Sequence, residues 1–123
     1  YEHLSNILKP IIEKNNGQSG LSSIGIVSGA TYKEQAISLR KKLPSAPFLI
    51  PGYGAQGASA SEACAPLITD QSYSGLKNFG LINASRSVLF PKNSYSVKGI
   101  EEWQDIILTE LEKTNDILIN TKT

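Results

Sequence analysis

Apolar residues recur at helical spacing near both ends of the chain and predict one amphipathic helix at each end. The first helix is expected over about residues 2–15 and the last over about residues 100–119. In each segment the apolar positions lie three or four residues apart, which places them on one helix face. They are Leu4, Ile7, Leu8, Ile11 and Ile12 in the first segment and Ile100, Trp103, Ile107, Leu111 and Leu118 in the last.

Three short apolar runs in the middle of the chain predict β-strands. They cover about residues 24–28, 47–51 and 79–84. Each run is rich in Ile, Val, Leu or Phe and is bounded by Gly, Pro or Ser, residues that commonly end a strand. The stretches between the runs are long enough to hold helical connections.

Two such helices are predicted, over about residues 32–43 and 60–68. The motifs Thr31-x-x-Glu34 and Ser59-x-x-Glu62 at their starts match the helix capping box, in which the two side chains cap each other's backbone amides. The order of elements is then α-β-α-β-α-β-α. Strands joined by helices run parallel, so the sequence predicts an α/β fold with helical crossovers.

Three parallel strands are too few for a closed fold, because a parallel sheet needs both faces and both edges covered. We therefore expect residues 1–123 to form a single partial domain, with further strands supplied by the parent protein or by a partner. The chain has no Met and begins inside the first predicted helix, which also favours a piece of a longer protein. A small processed protein is the alternative.

The second predicted strand leads directly into the glycine-rich loop Pro51-Gly-Tyr-Gly-Ala-Gln-Gly57. Glycine adopts positive φ easily and has no Cβ to hold a ligand away from the backbone. Backbone amides can therefore turn toward an anion, as they do in phosphate-binding loops. The loop predicts a site for a phosphate or a similar anion.

The spacing Gly52-x-Gly54-x-x-Gly57 also matches the dinucleotide-binding fingerprint, so a Rossmann fold is an alternative. That fold places an acidic residue at the end of the next strand to bind a ribose. Here the next strand ends at Asn83, and Asp70 lies in the loop before that strand. The acidic residue is missing where the Rossmann fold requires it, which disfavours this alternative.

A (β/α)8 barrel explains two neighbouring loops together. In these barrels a phosphate is commonly bound by the loops after the last two strands. Gln56 offers an amide donor in the first loop, and Arg86, just after the next strand, offers a guanidinium that can bind a phosphate through two hydrogen bonds. Taken singly, Gln56 could instead stabilise its loop and Arg86 could form a surface ion pair.

Composition restricts the remaining function classes. With 12 Lys plus Arg against 11 Asp plus Glu, the net charge of +1 gives no support for nucleic-acid or membrane-surface binding. No apolar stretch is long enough to span a membrane. The single Cys64 has no disulfide or zinc partner, which favours a reducing compartment, and we expect a cytoplasmic protein. Cys64 and Tyr53 are assigned to packing and His3 to the solvent-exposed surface.

Three segments carry a resemblance to a known family: IGIVSGATY at 24–32, FLIPGYGAQG at 48–57 and GLINASRSVLF at 80–90. In order and spacing they resemble the last three strands and loops of the orotidine 5′-phosphate decarboxylases, particularly the bacterial-type branch. The resemblance is strong over about residues 20–92. It implies the C-terminal part of a (β/α)8 TIM barrel.

The resemblance also implies a function and a set of site residues. The family converts orotidine 5′-monophosphate to uridine 5′-monophosphate in de novo pyrimidine synthesis, without a metal or an organic cofactor, usually as a homodimer. The residues matched to phosphate binding are Gln56, Arg86 and the backbone amides of Ser85 and Gly57, with Pro51, Gly52 and Gly54 shaping the site. Many relatives carry Gly at the position of Ser85, and a second Gly at that of Ala58.

The family's catalytic array, D-x-K-x-x-D, does not occur in these 123 residues. The resemblance places it on an earlier strand, so the chain is expected to bind the phosphate without supplying the proton donor. We expect the chain alone to be inactive and to need the N-terminal remainder of the barrel. Two alternatives stay open: a non-catalytic fragment that binds phosphate compounds, and another phosphate-binding barrel enzyme of the same superfamily, such as a hexulose-phosphate synthase.

Overall fold

A computed structural model describes residues 1–70 and 76–121 of the chain. The α-helices are α1 (Glu2–Lys14), α2 (Lys33–Lys42), α3 (Ala60–Cys64), α4 (Ser85–Leu89) and α5 (Ile100–Asn120), with a 3-10 helix at Lys92–Ser96. The strands are β1 (Ile26–Val27), β2 (Phe48–Pro51), β3 (Ile68–Asp70), β4 (Leu76–Asn78) and β5 (Gly80–Asn83).

Strands β1, β2 and β5 form a parallel sheet with β2 in the centre. Ile26 pairs with Phe48, and Phe48 pairs with Gly80, so the three strands begin at the same edge. Helix α2 connects β1 to β2, and α3 lies in the connection from β2 to β5. The predicted parallel strands with helical crossovers are confirmed.

The core lies on one face of this sheet. Phe48 and Ile50 of β2 are buried there, as are Ile12 of α1 and Leu43 just after α2. Side chains of successive strand residues point to opposite faces, so the intervening Leu49 points away from this core. Helices α1 and α2 therefore cover one face of the sheet.

The opposite face is apolar and exposed. Val27, Leu49 and Leu81 are paired across the three strands and form one row, with 68%, 43% and 74% of their surface accessible. An apolar row across the centre of a sheet is normally buried, and in a closed barrel it faces the interior. The described residues thus form an open sheet with one face still uncovered.

Arg40 stabilises the edge of the sheet where β2 and β5 begin. Its guanidinium donates hydrogen bonds to five backbone carbonyls, and its side chain is 8% exposed. The acceptors are the oxygens of Pro66 (2.7 Å), Leu43 (3.3 Å), Pro44 (3.2 Å), Ala46 (2.7 Å) and Phe79 (2.7 Å). Burial lowers the pKa of Arg40 to about 10, so the group stays charged at neutral pH.

The capping box predicted at Thr31 is wrong. Helix α2 begins at Lys33 with Tyr32 as its N-cap, and no side chain caps it. The amide of Ala30 bonds the carbonyl of Pro51 at 2.8 Å, which holds the residue before Thr31 beside the end of β2, and residues 30 and 31 form a turn before the helix begins. Glu34 is therefore only two residues from the cap, whereas a capping box needs a separation of three.

The second predicted box is confirmed, but the helix that it starts is shorter than expected. Ser59 and Glu62 cap each other at the start of α3. The helix ends at Cys64 rather than near residue 68. Pro66 has no amide to donate and its carbonyl accepts from Arg40, so the chain leaves the helix there.

Strands β3 and β4 follow as an antiparallel pair that the sequence did not predict. Residues 71–75, which connect them in sequence, lie outside the described residues.

Candidate functional site

The predicted site lies where β2 and β5 end. Pro51 and Asn83, the last residues of these strands, are paired in register. The glycine-rich loop follows Pro51, and α4 follows Asn83 after one residue. Because parallel strands end at the same edge of a sheet, the two connecting segments are brought side by side there.

The glycine-rich loop is a compact turn held by its own backbone. Gly54 donates its amide to the carbonyl of Ala58 at 3.0 Å, and Ala58 donates to Gly52 at 3.2 Å. Gly57 donates to Gly54 at 2.8 Å, which closes a tight turn with Gln56 near its tip. The three glycines have φ values of 112°, 70° and 92° at positions 52, 54 and 57, a region that favours glycine.

Gln56 folds back over the base of this loop. A Cβ placed on Gly52 would lie 3.7 Å from Oε1 of Gln56 and 3.6 Å from the Cβ of Ala30. Gly52 is buried, while Gln56 itself is exposed. The missing side chain of Gly52 thus leaves room for Gln56 to reach toward the strand ends.

A small cavity of about 50 Å³ lies between the loop and the start of α4. It is large enough for one compact group and too small for a nucleobase. Gln56 and Arg86 both line it, so the structure brings the two predicted ligands together. The complete lining is Gly52, Tyr53, Ala55, Gln56, Asn83, Ala84, Ser85 and Arg86.

Arg86 is the one charged residue in the lining of this cavity. Its side chain is exposed, and among the described residues the three ion pairs all involve other cations. The surface ion pair considered for Arg86 is therefore absent from the described part of the chain. The positive charge remains available to an anion.

The two backbone groups predicted as ligands differ in their surroundings. Ser85 lies at the first position of α4, where amides have no acceptor within the helix, and its hydroxyl donates to Oδ1 of Asn83 at 3.2 Å. The amide of Gly57 is already bonded to Gly54. The structure therefore gives no support to Gly57 as a phosphate ligand, since the turn itself uses its donor.

Curated sequences similar to this chain are orotidine 5′-phosphate decarboxylases. The protein from Clostridium botulinum strain Loch Maree is 38% identical over 119 residues, which are 95% of this chain and 38% of the relative. That from Rhodopirellula baltica is 31% identical over 121 residues, and that from Clostridium kluyveri 47% identical over 77 residues. The chain is homologous to part of an orotidine 5′-phosphate decarboxylase. No protein-family model matches it.

A solved structure with a similar fold supports the assignment to a barrel segment. A Toxoplasma gondii protein assigned as an orotidine-monophosphate decarboxylase matches 89% of this chain and 42% of its own length, with a TM-score of 0.57 and 22% identity. Its crystal structure shows that the open sheet is a segment of a TIM barrel. The chain spans 24–38% of the length of the curated decarboxylases that it matches.

Sequence reasoning missed one residue beside the candidate site. Ser87 lies on α4, and its hydroxyl donates to the carbonyl of Ala84 at 3.1 Å. A Cβ on Gly54 would lie 3.1 Å from Oγ and 3.3 Å from Cβ of Ser87, so the two segments lie close together at this point. A serine next to Arg86 gives no sequence signal for this contact, because it depends on how the loop folds.

The other residues considered from the sequence lie away from the cavity or serve packing. His3 is exposed on α1, and Cys64 is buried in α3. Tyr53 packs against the core at the base of the loop and also lines the cavity. Within the described ranges, no three His, Cys, Asp or Glu side chains are placed to bind a metal ion. None of the helices described could cross a membrane.

Proposed function

We propose that this chain is the phosphate-binding part of an orotidine 5′-phosphate decarboxylase. Arg86 binds the 5′-phosphate of the nucleotide through its guanidinium, and Gln56 and the amide of Ser85 donate further hydrogen bonds. One observation carries the proposal: Gln56 and Arg86, from the loops after two adjacent parallel strands, line the same 50 Å³ cavity. Homology to the decarboxylases over most of the chain supports the choice of substrate.

The chemistry of these groups suits a phosphate monoester. The dianion presents several oxygens, and a planar guanidinium can bind two of them at once. A neutral amide such as that of Gln56 adds a weaker hydrogen bond and fixes the orientation. The small cavity admits the phosphate and leaves the pyrimidine outside it, so the reacting base lies elsewhere in the barrel.

In the proposed reaction, the bond between the pyrimidine and its carboxylate breaks, CO₂ leaves and the ring carbon takes a proton. The proton donor is expected in the N-terminal remainder of the barrel, because the D-x-K-x-x-D array is absent from this sequence. The phosphate does not react. Its binding energy can nevertheless lower the barrier when it is used to position the base and to offset the cost of reaching the transition state.

The same proposal assigns a partner to the uncovered sheet face. The row Val27, Leu49 and Leu81 packs against the remaining strands of the barrel. The complete enzyme is proposed to work in the cytoplasm as a homodimer, without a cofactor, and to bind neither nucleic acid nor membrane. The 123-residue chain alone is expected to be inactive.

The test is an assay of the full-length protein that contains this chain. Release of CO₂ from orotidine 5′-monophosphate is expected, and Arg86→Ala should lower kcat/KM strongly while leaving the protein folded. Turnover of a hexulose phosphate instead would favour another barrel enzyme of the same superfamily. Tight binding of uridine 5′-monophosphate without CO₂ release would favour a non-catalytic phosphate-binding protein.

A further inference from the structure

The contact between Gly54 and Ser87 joins the two segments that form the proposed phosphate site. Gly54 lies in the glycine-rich loop, two residues before Gln56, and Ser87 directly follows Arg86 on α4. A Cβ added to Gly54 would lie only 3.1 Å from Oγ of Ser87 and 3.3 Å from its Cβ, so the side chain of Ser87 borders the position that a side chain on Gly54 would take. Separations this short mean that the two segments lie close together and that a side chain at position 54 would crowd Ser87.

Both sides of the contact are held in place. The hydroxyl of Ser87 donates to the carbonyl of Ala84 at 3.1 Å, which fixes its orientation against the start of α4. Gly54 is fixed by two backbone hydrogen bonds, to Ala58 at 3.0 Å and to Gly57 at 2.8 Å. A turn closed by its own hydrogen bonds thus lies beside a side chain that is held by another, so we expect a shift of one to affect the position of the other.

We propose that Ser87 is a positioning residue that sets the distance between Gln56 and Arg86, and thereby the affinity of the site for a phosphate monoester. The inference rests on the function proposed above and adds a residue outside the set of phosphate ligands. Ser87 does not itself line the 50 Å³ cavity, whereas its neighbour Arg86 does. Its effect on the phosphate passes through the loop that it supports.

The test measures the affinity of the full-length protein for inorganic phosphate and for uridine 5′-monophosphate in single and double variants. Gly54→Ala should weaken both affinities roughly tenfold or more, because the added Cβ pushes the loop away from Ser87 and displaces Gln56. Ser87→Gly alone should also weaken them, because the loop loses its support.

In the Gly54→Ala background, however, Ser87→Gly should strengthen binding, since it removes both atoms that the new Cβ meets. Ser87→Ala, which removes only Oγ, should restore less. The rescue stays partial because alanine remains strained at the positive φ of residue 54.

Gly57→Ala is the matched control. Position 57 has a φ of 92°, so alanine is strained there as well, but its Cβ would meet no atom within 4 Å. Ser87→Gly should therefore give no rescue of Gly57→Ala. If Ser87→Gly acted only by destabilising the fold, it would change phosphate affinity equally in the Gly54→Ala and Gly57→Ala backgrounds. The proposed contact predicts rescue in the Gly54→Ala background alone.

The outcomes separate this inference from the proposed function. If Arg86→Ala abolishes phosphate binding while Ser87 variants bind within about twofold of the unchanged protein, the site stands and the positioning role is wrong. If Arg86→Ala has no effect on phosphate binding, the proposed function itself fails. Equal rescue of Gly54→Ala and Gly57→Ala would also overturn the positioning role.

Discussion

The guanidinium of Arg40 lies 3.8 Å above the centre of the Phe48 ring. Phe48 is buried at the start of β2, and Arg40 donates to carbonyls on both sides of it, at Ala46 and at Phe79 before β5. One side chain thus satisfies backbone acceptors of neighbouring strands and packs on a core aromatic ring. This arrangement holds the sheet at the edge opposite the proposed site.

Removing Arg40 should destabilise the protein severely. Arg40→Ala removes a donor from five carbonyls, of which only those of Leu43 and Phe79 also accept from a backbone amide among the described residues. We expect a loss of about 3 kcal/mol or more in the free energy of unfolding. Arg40→Lys should recover only part of it, because an ammonium cannot reach the same acceptors. Urea unfolding of the full-length protein measures the free energy of unfolding of each variant. The control is Lys41→Ala, an exposed neighbour on the same helix, which should change stability by no more than about 0.5 kcal/mol.

The cap of α3 gives a prediction that depends on pH. The amide and hydroxyl of Ser59 donate to Oε2 of Glu62, both at 2.7 Å. These bonds, the backbone one first, lower the pKa of Glu62 below its ordinary value of 4.5. A lowered carboxyl pKa contributes stability that is present above about pH 4.5 and is lost as the pH falls through the folded-state pKa.

Ser59→Ala removes the hydroxyl that caps α3 and should cost about 1 kcal/mol at pH 7, the usual cost of losing an N-cap side chain. The stability difference between the unchanged protein and Glu62→Ala should be largest at neutral pH and smaller at pH 3, because the carboxylate takes up protons as the pH falls. Urea midpoints at the two pH values provide the measurement. A difference of the same size at both would contradict the assigned role of the carboxylate.

Gly25 is expected to tolerate no side chain. A Cβ at this position would lie 2.6 Å from the carbonyl oxygen of Pro47, a backbone atom of the adjoining segment that cannot rotate away. Gly25→Ala should lower stability by about 1–3 kcal/mol through overpacking. Gly29→Ala is the matched control, because a Cβ there meets no atom within 4 Å. Equal unfolding midpoints for the two variants would contradict the close packing of β1 on the segment before β2.

The exposed sheet face distinguishes a barrel segment from a domain that is complete as described. Leu81 is 74% exposed among the described residues, so Leu81→Ala would matter little if this surface stayed in water. If the remaining strands cover it, the same change should cost about 2–5 kcal/mol in the full-length protein. The free energy of unfolding of the Leu81→Ala variant distinguishes a covered row from an exposed one. A loss below about 0.5 kcal/mol would contradict barrel closure over this row.

Much of the fold could be predicted because its signals are local. The β-branched and apolar runs that form β1, β2 and β5 are bounded by Gly, Pro or Ser, and the Ser59 capping box marks the start of α3. The end of α3 and the start of α2 were missed, because both depend on distant partners. Arg40 draws the Pro66 carbonyl away from helical geometry, and Pro51 holds Ala30 beside β2.

The candidate site, like the fold, could be predicted from the sequence only in part. The loop containing Gln56 and the position of Arg86 could be predicted, because each directly follows a strand and resembles a family motif. Two features could not be predicted. The Gly57 amide is used within the turn, and Gly54 lies close to Ser87. Both arise from the closed geometry of the loop, which the order of residue types does not encode.

The central claim is that Arg86 and Gln56 bind one phosphate, and calorimetric binding of uridine 5′-monophosphate to the full-length protein tests it most directly. Arg86→Ala should weaken binding by about 3 kcal/mol, roughly 100-fold, because a charge-assisted contact is lost. Gln56→Ala should cost only about 1 kcal/mol. Lys92→Ala, which removes an exposed cation of the nearby 3-10 helix, should have little effect. Affinity of Arg86→Ala within about twofold of the unchanged protein would contradict the claim.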